Sequence, residues 1–218
     1  MKEHPILLNG DMVRAVQDGR KTMTRRVIKP QHKGGVITGP AAESGYAIEA
    51  WGGGKRHIAS KINCLSCPYG IPGDRLWVRE TWATERQFDH LSPSNIPASA
   101  HKTERIMYEH FTHGWDKARP SIHMPRWASR ITLEVVSVRV ERVQEITEDD
   151  AKAEGIASTV ILESDGKDYT GQYARDGFAC LWDSIYAKRG YGWDVNPLVW
   201  VIEFKQLTAA GRERKEGE

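Results

Sequence analysis

The sequence is poor in cysteine, nearly balanced in charge and without a long hydrophobic run. Its three cysteines are an odd number, which argues against a secreted fold held by disulfides. A formal net charge of +2 is too small to indicate a general polyanion binder. The first residues lack the apolar stretch of a signal peptide or a membrane span. We therefore expect a cytoplasmic protein with no membrane segment.

The length and composition are those of one domain with elaborations. Polar segments rich in glycine or proline occur near 30–65, 83–104 and 156–176, and we interpret them as insertions into a single domain that spans 1–208. The charged residues 209–218 are predicted to form a disordered tail. The sequence leaves the role of the insertions and the oligomeric state open.

Cys64 and Cys67 form one Cys-x-x-Cys pair, which is half of a structural zinc site. The second half is not obvious, because Cys180 is distant and only His32 and His57 remain as candidates. Without a matching pair, we expect reduced thiols rather than bound zinc, and no other cofactor is indicated.

Tryptophan is abundant, with eight residues in the chain. An indole offers a flat face to a nucleic-acid base, so this excess beside arginines indicates contact with nucleotides or RNA. The alternative for each indole is packing in the core. Charge is also unevenly placed, with a basic region over 14–29 and an acidic region over 145–154. These regions either attract each other across a cleft or form two solvated faces.

Hydrophobic periodicity predicts a mixed α+β chain with a small curled sheet or barrel and helical caps. One strand pattern changes phase between Val135 and Val136, which predicts a β-bulge. Asn9 and Thr147 are predicted to cap the first two helices. The predicted strands cover 5–8, 76–79, 130–143 and 197–207, and the predicted helices cover 10–18, 148–154 and 178–186.

The basic segment 19–26 lies between the first predicted helix and the first insertion. Its Lys21 and Thr24 are three residues apart, so a helical turn or a tight fold would bring both side chains into one pocket. An amine beside a hydroxyl is a workable base and nucleophile when burial lowers the pKa of the lysine. A solvated basic loop is the alternative, because lone Lys-x-x-Thr spacings are common.

Two carboxylates stand at the ends of predicted elements. Glu80 ends the strand 76–79, where it either faces a cavity or pairs with an arginine. Glu154 lies in the last turn of the helix 148–154, where an anion opposes the helix dipole. Glu154 is therefore expected either to pair with a cation or to serve in a reaction.

Four motifs, in order along about half of the chain, resemble the ASCH (activating signal cointegrator homology) domain family. The strings 24–27 and 74–82 are similar to its phage and prophage branch. The four motifs are Gly19-x-Lys21-x-x-Thr24-x-Arg26, Pro72-Gly73-Asp74-x-Leu76-x-Val78, the helix at 146–154, and Val199-x-Val201-Ile202-Glu203-Phe204.

The resemblance implies a PUA-like fold, a small mixed β-barrel with flanking helices, and an association with RNA or modified nucleosides. One bacterial branch of the family consists of amidohydrolases that remove the acetyl group from 4-acetylcytidine. The catalytic lysine, threonine and glutamate of that branch fall on Lys21, Thr24 and Glu154 of this sequence. In these roles Lys21 would activate Thr24 as the nucleophile, and Glu154 would orient Lys21 or the leaving amine.

The other site residues are expectations that follow from the same resemblance. We expect Arg26 to hold the oxyanion or a substrate oxygen, and Arg25 to contact the substrate as well. Glu80 and Trp82, at a strand end, are expected to grasp and stack the base. The reaction so described requires no metal.

Two alternatives to the amidohydrolase remain open. One is a non-catalytic RNA-binding module that uses exposed tryptophans and a basic patch with Arg25 and Arg26. The other is a metal-free ribonuclease, in which Lys21 and a nearby hydroxyl or histidine assist attack by the ribose 2′-hydroxyl.

Overall fold

The computed structural model describes residues 1–31, 36–37, 46–49, 64–84, 86–97, 118–156, 160–164, 167–171 and 174–207. The predicted tail at 209–218 lies outside these ranges, as do parts of all three predicted insertions.

The described chain mixes helices and strands, which confirms the α+β prediction. The α-helices are α1 Gly10–Gln17, α2 Glu148–Ala153 and α3 Ala174–Tyr186. The strands are β1 Glu3–Leu7, β2 Met23–Val27, β3 Val36–Ile37, β4 Tyr46–Glu49, β5 Cys64–Ser66, β6 Arg75–Arg79, β7 Thr132–Arg142, β8 Val160–Ser164, β9 Lys167–Gly171 and β10 Leu198–Gln206.

Five of these strands form the main sheet, in the order β1-β6-β7-β10-β2. β1 and β6 run parallel, and the other neighbours run antiparallel. β10 lies inside the sheet, between β7 and β2, which its continuous apolar sequence predicts. The sheet is open, with β1 and β2 at its edges, so a closed barrel stays a prediction. The first and third predicted insertions contribute two smaller sheets, β3-β4-β5 and β8-β9.

β7 carries the predicted bulge. Glu203 of β10 pairs with Ser137, and the next residue, Phe204, pairs with Val135. Val136 is therefore the extra residue on β7, and its side chain is 49% exposed. This bulge is the physical cause of the change in hydrophobic phase, because one additional residue reverses which side chains face the core.

The main sheet is covered differently on its two faces. Trp200 and Ile202 of β10 join a cluster with α1, which we name the α1 face. Val199 and Val201 point the other way and pack with Trp182 in a cluster with α2 and α3, which we name the α2–α3 face. Alternating residues of one central strand thus build both halves of the core.

The helix ends confirm the predicted caps. The Asn9 side chain accepts a hydrogen bond from the backbone N–H of Met12, and the Thr147 hydroxyl accepts one from Asp150. α2 ends at Ala153, so Glu154 is its C-cap residue rather than part of its last turn.

Gly155 follows this cap with a φ of +89°, in a crowded place. A Cβ atom there would lie 2.9 Å from the Ala15 Cβ and 3.1 Å from the Lys21 Cβ. We expect Gly155→Ala to lower the free energy of unfolding by about 2–4 kcal/mol, from left-handed strain plus overpacking. Urea denaturation measures the change.

Gly190→Ala is the matched control, because Gly190 has a φ of +79° and open space around its Cα. This variant carries the backbone strain without the overpacking, so we expect a loss of about 1–2 kcal/mol. Equal losses in the two variants would contradict close packing of Gly155 on Lys21.

Candidate functional site

Lys21 is fixed by backbone contacts on the way from α1 to β2. Its N–H donates to the Ala15 carbonyl at 2.9 Å, and the N–H of Thr22 donates to the Ala153 carbonyl at 2.8 Å. Lys21 and Glu154 form an isolated antiparallel bridge. The end of α2 is thereby attached to the start of β2.

The Lys21 amine is paired with Glu154 inside the protein. Its Nζ lies 2.6 Å from Glu154 Oε2 and donates to the Glu154 carbonyl at 2.8 Å. The exposed fractions of the two side chains are 0% and 5%. Burial lowers the pKa of Lys21; the charge and hydrogen bond of Glu154 oppose this, and Arg26 and Arg25 lower it further.

Arg25 also lies inside the protein, on the α2–α3 face. Its Nη2 lies 2.6 Å from Asp150 Oδ2 and 3.0 Å from Glu141 Oε2. Its Nη1 lies 3.7 Å from Glu154 Oε1, so Glu154 faces both Arg25 and Lys21. Arg25 is therefore a buried ion-pair partner rather than part of an exposed basic patch.

The ion pairs continue from Arg25 to Arg139 of β7. Arg139 contacts Asp150 at 3.2 Å and also binds Glu141 and Glu203. Three cations and four carboxylates make up this ion network: Lys21, Arg25, Arg139, Glu141, Asp150, Glu154 and Glu203. Of the two alternatives for the basic and acidic regions, attraction is the one observed, in the pairs of Lys21 with Glu154 and of Arg25 with Asp150.

Thr24 is buried in β2, opposite Ile202 of β10. The helical turn considered for Lys21 and Thr24 is wrong, because Met23–Val27 pairs with β10 as a strand. Side chains alternate along a strand, so Thr24 faces the α1 side while its neighbour Arg25 faces α2 and α3. The structure thus brings Lys21 and Glu154 together directly and places Thr24 on the adjoining strand.

Arg26 bridges the two edges of the main sheet. Its Nη2 donates at 2.7 Å to the carbonyl of Leu7, the last residue of β1. Alternation places Arg26 on the same face of β2 as Thr24. Arg26 therefore lies both next to Thr24 along the strand and at the gap between β1 and β2.

A pocket of about 470 Å³ opens beside Arg26. Among the described residues that line it, three are cations, three are large aromatics, and none is a carboxylate. The lining consists of Leu7, Arg26, Val27, Ile28, Lys29, Ser66, Pro68, Tyr69, Tyr186, Arg189 and Trp200.

Most residues of this lining were not among the site residues predicted from the sequence. Tyr186 and Arg189 belong to the end of a predicted amphipathic helix, where an aromatic residue and a basic residue have ordinary structural roles. Lys29 and Tyr69 border the first predicted insertion. No local motif joins these four positions, so no sequence signal could have found them as a group.

Glu80 and Trp82 are held by the segment that precedes β7. The Glu80 carboxylate binds Arg130 through two contacts of 3.0 Å. Trp82 is fully buried in a third hydrophobic cluster, 5.9 Å from the Trp127 ring and 5.6 Å from the Arg119 guanidinium. The described contacts therefore connect Glu80 and Trp82 with residues other than Lys21, Thr24 or Glu154.

The Cys-x-x-Cys pair is described only in part. Cys67 is a buried free thiol, and burial raises its pKa to about 12. The side chain of Cys64 lies outside the described part of the chain. Among the described residues, no group of three or more His, Cys, Asp or Glu side chains is placed to hold a metal ion. The described residues therefore do not test a zinc site at Cys64 and Cys67.

Comparisons with known protein families, characterised proteins and solved structures give no match to this chain. The resemblance to the ASCH family therefore rests on the four sequence motifs. In the described ranges, no helix is long and apolar enough to cross a membrane.

Proposed function

We propose that this chain is an ASCH-type, PUA-like protein that acts on RNA or modified nucleosides. Its proposed reaction is the removal of an acyl group from the exocyclic amine of a cytidine-type base. The observation that carries the proposal is the buried contact of 2.6 Å between Lys21 and Glu154. These are two of the three residues that the resemblance implies for catalysis, and they are 133 positions apart in the sequence.

The lowered pKa of Lys21 supports its role as the base. A neutral Lys21 amine takes the proton of the Thr24 hydroxyl, and the Thr24 oxygen bonds to the acyl carbon. The bond from that carbon to the exocyclic nitrogen then breaks, and Lys21 returns the proton to the leaving amine. Water hydrolyses the acyl-threonine to release the acid. Glu154 holds the Lys21 amine, and Arg26 binds a substrate oxygen.

The proposal also includes closure of the main sheet into a PUA-like barrel. Its support is the hydrogen bond of Arg26 to Leu7, which joins the two edge strands of the open sheet. A barrel of this kind would close between β1 and β2.

The test is a chromatographic assay of purified protein with 4-acetylcytidine. We expect wild type to release cytidine and Thr24→Ala to lose at least about 1,000-fold in turnover, because the nucleophile is absent. Thr22→Ala is the matched control, since Thr22 is an exposed threonine on the same segment. Full activity of Thr24→Ala, or a loss as large in Thr22→Ala, would contradict the proposed nucleophile.

A second candidate is binding of RNA without catalysis. The observation that favours it is the lining of the pocket, whose described residues include three cations and no carboxylate. Affinity for RNA that falls as salt is added, together with no turnover of 4-acetylcytidine, would support this candidate over the amidohydrolase.

A further inference from the structure

We propose that the pocket beside Arg26 binds a nucleoside monophosphate, with Lys29 and Arg189 holding the phosphate. The choice of a cytidine-type base rests on the proposed function, whereas the preference for a phosphate follows from the pocket itself. The phosphate is carried either by a free nucleotide or by the end of an RNA strand.

The charge of the pocket lining is unbalanced. In the described part of the chain, none of the three lining cations is paired with a carboxylate. Lys29 Nζ lies 5.3 Å from the centre of the Tyr191 ring, and the Arg189 guanidinium lies 6.0 Å from that of Tyr186. Ring faces leave the N–H groups of both cations available, and phosphate oxygens are their strongest acceptors.

Arg26 is held in a fixed position beside the pocket. Its bond to the Leu7 carbonyl holds the guanidinium at the gap between the edge strands. A guanidinium that is already held loses less conformational entropy when it binds a ligand. Arg26 is only half-buried, so it is available to donate a hydrogen bond to an oxygen of the sugar or the base.

Aromatic side chains form part of the pocket wall. Tyr69 and Tyr186 both line the pocket. Tyr69 is half-buried and offers a ring face and a hydroxyl to a base, whereas the ring of Tyr186 packs against Trp182 and Arg189. Burial is the main cause that raises the pKa of Tyr69, so its hydroxyl stays protonated near neutral pH. A protonated hydroxyl donates a hydrogen bond and adds no negative charge next to a phosphate.

The size of the pocket fits one nucleotide. The volume of about 470 Å³ lies within the range of about 300–1,000 Å³ for small-molecule pockets.

Isothermal titration with CMP and cytidine tests the proposal, and neither compound carries the acyl group of the proposed substrate. We expect wild type to bind CMP at least about 10-fold more tightly than cytidine, because two charge-assisted contacts are added. Lys29→Gln and Arg189→Gln should each weaken CMP binding about 5- to 10-fold and leave cytidine binding unchanged. Lys188→Gln is the control, since Lys188 is an exposed cation next to Arg189 that does not line the pocket.

Equal affinity for CMP and cytidine, or unchanged CMP binding in Arg189→Gln, would overturn the proposal. Inorganic phosphate that binds as tightly as CMP would also overturn it, because the base would then contribute nothing. A 5′-phosphorylated oligonucleotide that competes better than CMP would identify an RNA end as the source of the phosphate. CMP binding without turnover of 4-acetylcytidine would reject only the amidohydrolase, and turnover without a preference for phosphate would reject only this pocket assignment.

Discussion

Arg25→Met is expected to lower the free energy of unfolding by about 3–5 kcal/mol. The Arg25 side chain is fully buried and faces carboxylates of Glu141, Asp150 and Glu154. Removing this cation takes one cationic partner from each of these carboxylates, and Arg139 and Lys21 then compensate their desolvation only in part. Urea denaturation at neutral pH measures the loss.

Arg20→Met is the matched control. Arg20 pairs with Asp18 at 2.8 Å, but both side chains are more than half exposed. We expect a change of about 0–1 kcal/mol for this surface pair. If Arg25→Met changed stability as little as Arg20→Met does, Arg25 would not be the buried partner described above.

The same pair of variants decides between two interpretations of Arg25. As a member of a basic patch, Arg25 would affect RNA affinity and leave stability unchanged. As a member of the ion network, it affects stability first, and any effect on RNA follows from unfolding. The burial of Arg25 favours the second interpretation, so Arg26 is the better position at which to test RNA binding.

Lys21→Met and Glu154→Gln are the second large prediction. Each removes one partner of a buried pair, and we expect each to cost about 3–5 kcal/mol of stability. The double variant should cost less than the sum of the single variants, with a coupling energy of about 2–3 kcal/mol. Urea denaturation of all three variants measures this coupling, and additive losses would show that the two side chains do not interact.

The pH dependence of stability gives a second measurement on the same variants. The pKa of Lys21 in the folded protein is lowered from its ordinary value of 10.5. Between the lowered pKa and 10.5, the unfolded chain binds more protons at this residue than the folded chain. Stability of wild type should therefore rise with pH across that window, relative to Lys21→Met. A relative fall with pH would mean that Glu154 raises the pKa more than burial lowers it.

Features that depend on neighbours in the sequence could be predicted. The caps at Asn9 and Thr147 need only a side-chain oxygen two or three residues before an N–H group. The bulge at Val136 was visible because the hydrophobic phase changes within a single strand. The position of β10 inside the sheet could be predicted because a strand buried on both faces is apolar throughout.

Features that depend on distant partners could not be predicted in the same way. The segment 19–26 has the spacing of a helical turn, but hydrogen bonds with β10 make residues 23–27 a strand. Arg25 belongs to a basic run that is typical of a solvated loop, and only the approach of β7 and α2 buries it. The pairing of Glu154 was predicted as one of two options, and the fold supplied its partner Lys21.

The pairing of β2 with β10 sets the order in which the site assembles during synthesis. Thr24 is made well before its strand partner Ile202. At about 5–20 residues per second, this delay is on the order of ten seconds. A nascent chain therefore holds Thr24 for that time without the strand that pairs with it, and the proposed acyl transfer would begin only after β10 has been made.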